Sequence, residues 1–193
     1  PETDDMIYKN FTAEDFSGKA ENKAKLQAEL DLPQKADIPV IGIVSRLADH
    51  KGFDLVKCVI EDILKADVQM VVLGSGEWEF EMLFHEMSKK YPDKLAFRNG
   101  FIPQLAHKIY AGADIFLMPS VSEPCGLSQM IASRYATVPI VRETGGLYDS
   151  IKPYGAGGNG FTFASCNAYD MLYVVHEALD LYKNNAKWQT LMQ

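Results

Sequence analysis

Arg46 and Lys51 share one polar stretch, Ser45-Arg46-Leu47-Ala48-Asp49-His50-Lys51-Gly52. Two cations this close suit a diphosphate, whose charge is spread over several oxygens. A solvated loop with two surface charges is the alternative. A second stretch, Pro119-Ser120-Val121-Ser122-Glu123-Pro124-Cys125-Gly126-Leu127-Ser128-Gln129, carries a single carboxylate among small residues. Glu123 can accept hydrogen bonds from sugar hydroxyls, or stabilise positive charge at a sugar carbon. It can equally be a dipole partner at a helix start. Cys125 beside it is a weak nucleophile candidate, because nothing in the sequence pairs it with a base. Thr144-Gly145-Gly146 precedes Leu147-Tyr148-Asp149, a predicted helix start. Its glycines let backbone N–H groups approach a ligand, or simply make a turn. Phe101, after Gly100, is either a stacking surface for a nucleobase or a core residue.

These residues need a scaffold that gathers them, and the hydrophobic pattern supplies one. Apolar runs at Val40–Val44, Val68–Leu73, Leu95–Arg98, Ile115–Met118, Val138–Val141 and Phe161–Phe163 read as strands. Amphipathic stretches lie between them. Val56, Val59, Ile60, Ile63 and Leu64 mark one helix, and Phe80, Leu83, Phe84 and Met87 the next. A third is predicted from about Pro103 to Ala111. Leu127, Met130, Ile131, Arg134 and Tyr135 predict a helix from near Gly126. Met171 to Tyr182 carries a long one, and a terminal helix follows it. Strands alternating with helices predict an α/β fold, a doubly wound, Rossmann-like parallel sheet covered on both faces. In that topology the loops after the strands share one edge, so Arg46, Lys51, Gly74, Phe101, Glu123 and Gly145 converge on one crevice.

Lys19 to Leu30 reads as a surface helix ending before Pro33. Residues 1–34 are accordingly expected to be a lead-in with one helix, and 35–193 the Rossmann-like domain. Residues 154–160 hold four glycines and predict a mobile loop. Both ends look cut, so a fragment of a longer protein is expected.

The net charge of -7 argues against a nucleic-acid surface. The three cysteines, Cys58, Cys125 and Cys166, give no disulfide framework or zinc pattern, and favour a reduced cytosolic setting. No run approaches the roughly 20 apolar residues of a membrane span. His50, His85, His107 and His176 lack metal-ligand spacing and read as structural. Gly74-Ser75-Gly76-Glu77-Trp78 lacks the third glycine of a dinucleotide fingerprint. Neither a metal nor a nicotinamide cofactor is expected.

Taken in order, Ser45-Arg46-Leu47 with Lys51-Gly52, Leu73-Gly74-Ser75-Gly76, Tyr110-Ala111-Gly112-Ala113-Asp114, Glu123-Pro124-Cys125-Gly126-Leu127 with Gln129, and Thr144-Gly145-Gly146-Leu147 with Asp149 form a recognisable set. The chain resembles the C-terminal, nucleotide-sugar-binding domain of bacterial glycogen synthases and plant starch synthases. These are retaining glucosyltransferases of the two-domain GT-B architecture. The resemblance implies transfer of glucose from ADP-glucose to the non-reducing end of an α-1,4-glucan. It implies that Arg46 and Lys51 hold the diphosphate and stabilise departing ADP. Glu123, with the backbone at Cys125 and Gly126, would contact glucose. Leu127 and Ser128 would face phosphate, and Thr144, Gly145 and Gly146 would line the phosphate and sugar side. Phe101 stands where the family usually stacks a tyrosine on adenine. Many related transferases carry a second glutamate eight residues after the first. Ile131 stands there in this chain, which favours the glycogen and starch synthase subgroup. The resemblance further implies a missing N-terminal domain bearing the acceptor surface, weak nucleotide binding and no elongation by this chain alone, and a cytoplasmic or, in a plant, plastid location. Another nucleotide-sugar transferase, a phosphorylase or a non-catalytic nucleotide-binding module are the rival readings.

Overall fold

The computed structural model describes residues 1–155 and 157–193. Six strands, β1 (Val40–Val44), β2 (Gln69–Gly74), β3 (Leu95–Asn99), β4 (Ile115–Met118), β5 (Val138–Arg142) and β6 (Phe161–Phe163), build the sheet. Eight helices accompany them: α1 (Ser17–Glu29), α2 (Phe53–Leu64), α3 (Trp78–Lys90), α4 (Pro103–Gly112), α5 (Ser128–Arg134), α6 (Gly145–Ser150), α7 (Ala168–Tyr182) and α8 (Asn185–Met192). All strands run parallel in the order β3-β2-β1-β4-β5-β6. The continuous apolar strands are buried on both faces, as a sheet covered by helices requires.

One face packs Ile41, Ile43, Met70 and Val72 against α2, α3 and α7. There Phe53 meets Phe80 and Phe84 at ring-centroid separations of 5.7 and 5.8 Å. The other face packs Val71, Leu73 and Phe116 against Leu26, Ile109 and Tyr110. Gly42 is required on this second face. A Cβ there would fall 2.7 Å from Cγ2 of Ile109, so α4 lies directly on β1.

The order reverses between β1 and β4, and pairing across that seam is short. It covers Ile41 to Ile115 and Gly42 to Phe116, then stops. Val44 and Met118, at the ends of the same strands, have parted. A crevice opens there, outside the carboxyl ends of the strands, where open parallel sheets bind ligands.

Two helices differ from the sequence expectation. α1 lies at the surface as expected, but its buried face is largely polar: Lys19, Asn22, Lys23 and Gln27 are buried. Its polar side chains face inward because they satisfy backbone and side-chain acceptors at the opposite rim of the sheet. Lys19 Nζ donates to Ala111 O at 3.1 Å, Tyr135 O at 2.9 Å and Thr137 Oγ1 at 2.7 Å. Ala111 and Tyr135 lie at the ends of α4 and α5, where helix carbonyls are unpaired and partly negative. Lys23 pairs with Asp114 at 2.8 Å. Its ammonium is raised above the usual lysine value: burial opposes the charge, but Asp114 and Tyr182 outweigh it.

α5 starts at Ser128, just after Gly126, which is left-handed at φ 71°. Its apolar stripe is reversed. Leu127, Met130 and Ile131 are exposed, while Gln129 and Ala132 are buried. The expected loop over 154–160 includes residue 156, which lies outside the described residues. Around it, Tyr154 N–H donates to Gly160 O at 2.8 Å. No described helix is long and apolar enough to cross a membrane.

Candidate functional site

The loop after β1 is held before it turns. Ser45 N–H donates to Leu73 O and Leu47 N–H to Ser75 O, so the chain keeps pairing beyond β2. Leu47 is buried and Arg46 exposed, an alternation that frees the guanidinium. Arg46 Nη2 lies 3.5 Å from His50 Nε2. A 3-10 turn, Asp49–Lys51, then leads into Gly52 at φ 82°. A Cβ on Gly52 would fall 1.9 Å from Pro119 O. Glycine therefore lets the start of α2 press against the loop after β4. Asp54, beside Asp49, has its carboxyl raised from its ordinary value by that neighbouring carboxyl group.

That contact brings Lys51 onto Glu123, with Nζ 2.6 Å from Oε2. Ser120 donates its hydroxyl to the same oxygen at 3.2 Å. Glu123 is thus aimed by two partners from two loops, neither of which spacing alone suggested. The loop itself is fixed by its neighbours. Val121 N–H donates to His50 O at 2.9 Å. Arg142, at the end of β5, donates to Ser120 O at 3.0 Å and to Val121 O.

The start of α6 forms the third wall. Gly146 N–H donates to Glu123 O at 3.1 Å and Pro124 O at 3.2 Å. A Cβ on Gly145 would fall 2.2 Å from Glu123 O, and one on Gly146 1.7 Å from Cys125 O. The glycine pair thus serves close packing of the Glu123–Cys125 backbone, and the Gly146 N–H is engaged by it. Gln129, fully buried, donates to Gly126 O at 3.0 Å and to Ser150 Oγ at 3.1 Å. It ties the left-handed turn at Gly126 to α6.

A pocket of about 200 Å³ opens at the β1–β4 seam, lined by Val44, Ser45, Arg46, Lys51, Ser120 and Ser128 among others. Two cations and three serines line a space bordered by a part-buried ion pair, a setting for an anion with an adjoining polar group. Cys125, Gly126, Gly145 and Gly146 do not line it; the glycine pair packs on the Glu123–Cys125 backbone, in the loop that holds Ser120. Thr144 caps α6, and Leu127 stands exposed at the start of α5. Phe101 does not line this pocket. It is 84% exposed beyond β3, at the edge of the sheet, so it is no core residue.

A larger hollow of about 1030 Å³ lies at the opposite rim, between α1 and α7–α8, lined by Lys19, Lys23, Asp114, Tyr182 and Trp188. Volume alone would favour it. Its two buried cations, however, are already engaged, Lys19 by backbone carbonyls and Thr137 and Lys23 by Asp114, and its other lysines, Lys65 and Lys183, point to solvent beside Asp62 and Asp180. The smaller pocket keeps an accessible guanidinium at the seam, so chemistry favours it over size. Among the described residues no group of three His, Cys, Asp or Glu side chains lies close enough to share a metal ion.

Four residues of the site escaped sequence reasoning: Ser120, Arg142, the buried Gln129 in its bridging role, and His50 beside Arg46. The only signal was position, since each sits in or next to a loop that follows a strand.

Residues 24–190 match the family described as glycosyl transferases group 1. The whole chain is 50% identical to a glycogen synthase of Anoxybacillus flavithermus and 47% identical to one of Bacillus cereus. It spans only 40% and 41% of the length of those relatives. Among solved structures, the catalytic domain of starch synthase IV from Arabidopsis thaliana, bound to ADP and acarbose, superposes with a TM-score of 0.94 at 35% identity. The alignment covers 100% of this chain and 41% of that one. The C-terminal domain of a glycosyl transferase group 1 family protein from Francisella tularensis superposes with a TM-score of 0.71 at 20% identity, covering 90% of this chain and 88% of that one. That likeness speaks for the fold alone, which is that of the C-terminal domain of GT-B glycosyltransferases.

Proposed function

The chain belongs to the group 1 glycosyl transferases, and from that premise we propose that it is the donor-binding part of a glycogen or starch synthase. The complete enzyme would move glucose from ADP-glucose to the non-reducing end of an α-1,4-glucan, retaining the anomeric configuration. The observation that carries the reading is the meeting of Arg46, Lys51 and Ser128 in one pocket at the seam, with Glu123 bound to Lys51. The ADP in the Arabidopsis thaliana neighbour supports an adenine nucleotide.

The chemistry follows from charge. As the sugar carbon–oxygen bond to ADP lengthens, negative charge grows on the diphosphate and positive charge on the sugar carbon. Arg46 and Lys51 offset the first. Glu123 receives the sugar hydroxyls and faces the second. Lys51 must be shared between Glu123 and the incoming diphosphate, so the donor finds one cation free and one already engaged. Leu127 and Ser128 present backbone and hydroxyl to the phosphates, and the Cys125–Gly126 and Thr144–Gly146 backbones wall the sugar side. Phe101, at the rim, is the surface left for adenine. The acceptor glucan would sit on the part of the relatives' length that these residues do not cover. The reading carries with it a cytoplasmic location, or a plastid one in a plant, and no nucleic-acid or membrane partner.

The test compares donors by calorimetry and glucan extension by radiolabel, using the 193 residues alone. ADP and ADP-glucose are expected to bind weakly, UDP-glucose more weakly still, with no glucan extension. Equal binding of UDP-glucose would redirect the assignment to another donor. Robust transfer to glycogen by these residues alone would contradict the absence of an acceptor face.

A further inference from the structure

We propose that Arg142 is the positioning residue of the sugar half of this site. It touches no substrate and acts by fixing the loop that carries Glu123. The proposal rests on the nucleotide-sugar reading above.

Arg142 ends β5, one strand beyond the seam, and reaches back across the mouth of β4. Its Nε–H donates to Ser120 O at 3.0 Å and its Nη2 to Val121 O. Its Nη1 donates to Ala164 O at 3.1 Å, in the turn after β6. One rigid fork therefore holds three carbonyls on two loops, a geometry that a planar guanidinium provides and an ammonium does not. Among the described residues Arg142 forms no ion pair with a carboxylate. Its charge is directed at backbone, in the segment that sets the height of Glu123.

The opposite side of that segment is held by His50 O, which accepts from Val121 N–H at 2.9 Å and Ser122 N–H at 3.4 Å. Arg142 and His50 are thus two jaws on the same peptides. With Arg142 removed, the Ser120 and Val121 carbonyls lose their donor and those peptide planes are free to rotate. Ser120 Oγ and Glu123 Oε2 are then no longer aligned at 3.2 Å. Of the diphosphate pocket, Ser120 is shared with this segment, but the two cations have other supports. Arg46 and Lys51 sit on the β1 loop, which is anchored to β2 through Ser45 and Leu47. Loss of Arg142 should therefore separate sugar recognition from diphosphate recognition.

The experiment is calorimetry of ADP and ADP-glucose on the wild-type chain and on Arg142→Gln, Arg142→Lys and Arg46→Ala, each checked by thermal unfolding. Arg142→Gln is expected to hold ADP affinity within about twofold while abolishing the added affinity of ADP-glucose over ADP. Arg142→Lys, which keeps the charge but not the fork, should lose part of that increment. A general structural defect would lower both ligands together, and that outcome overturns the proposal. So does an unchanged increment in Arg142→Gln, or a wild-type chain that binds ADP-glucose no tighter than ADP. If Arg142→Gln fails to fold, Arg142→Lys decides: wild-type behaviour in it overturns the proposal, and a selective loss of the sugar increment supports it. Arg46→Ala keeps the two levels apart. Unchanged ADP binding there sinks the nucleotide-sugar reading itself. Lost ADP binding there with an intact sugar increment in Arg142→Gln sinks only the role of Arg142.

Discussion

Arg46→Ala is expected to weaken ADP binding roughly 10- to 150-fold, the equivalent of about 1.5–3 kcal/mol for hydrogen bonds to a charged group. The expectation is large because the two cations of the pocket are not equivalent. Lys51 already has a carboxylate at 2.6 Å, so part of its attraction is spent before a nucleotide arrives. Arg46 has only the His50 ring nearby, at 3.5 Å, and forms no ion pair among the described residues. Its planar fork also suits phosphate oxygens better than an ammonium does. Lys51→Ala should therefore cost less than Arg46→Ala in the same titration. Raising the salt should shrink both losses, since exposed charges are screened within about 8–10 Å. Unchanged affinity in Arg46→Ala would remove that side chain from the site.

Lys19→Met is expected to destabilise the fold by on the order of 1–3 kcal/mol at alkaline pH, with the gap narrowing toward neutrality. The substitution fills similar space but takes from Ala111 O and Tyr135 O the donor that Lys19 supplies, while Thr137 Oγ1 keeps its bonds to Tyr110 O and Ala113 O. Burial drives the Lys19 ammonium down from 10.5 to about 7, with Asp114 resisting and Lys23 adding to the fall. Between those two values the unfolded chain binds more protons than the folded one. Wild-type stability therefore rises with pH across that window. Below about 7 the folded protein carries a buried charge, a cost that methionine does not bear. Urea unfolding at pH 6.5 and pH 9.5 measures both midpoints. A wild-type advantage that does not grow toward the higher pH contradicts this account of Lys19.

The sheet was legible because apolar runs such as Val40–Val44 and Ile115–Met118 have to be buried on both faces, and helix periodicity between them forces crossovers. Rossmann-like order then brought Arg46, Lys51 and Glu123 to one edge, as the sequence pattern implied. What the pattern hid was direction. The polar face of α1 reads as solvent-facing, yet Lys19 reaches Tyr135, 116 residues later, to close a helix end. Nothing local announces such a partner. The stripe of Leu127, Met130 and Ile131 has the spacing of a core face, but α5 turns it outward because Gln129 is needed inside to hold the Gly126 turn. The same limit applies to Glu123, whose partners come from two separate positions, and to Arg142, whose three acceptors lie on other loops. Spacing reports which residues share an edge; it does not report which of them pair.

Crystals of the chain grown with ADP provide the most direct measurement. The account predicts the diphosphate in the seam pocket, between the Arg46 guanidinium and the backbone at Leu127 and Ser128, with Lys51 drawn toward it from Glu123. A nucleotide seated in the larger hollow at the opposite rim, against Lys23 and Trp188, with the seam pocket unchanged, would contradict it.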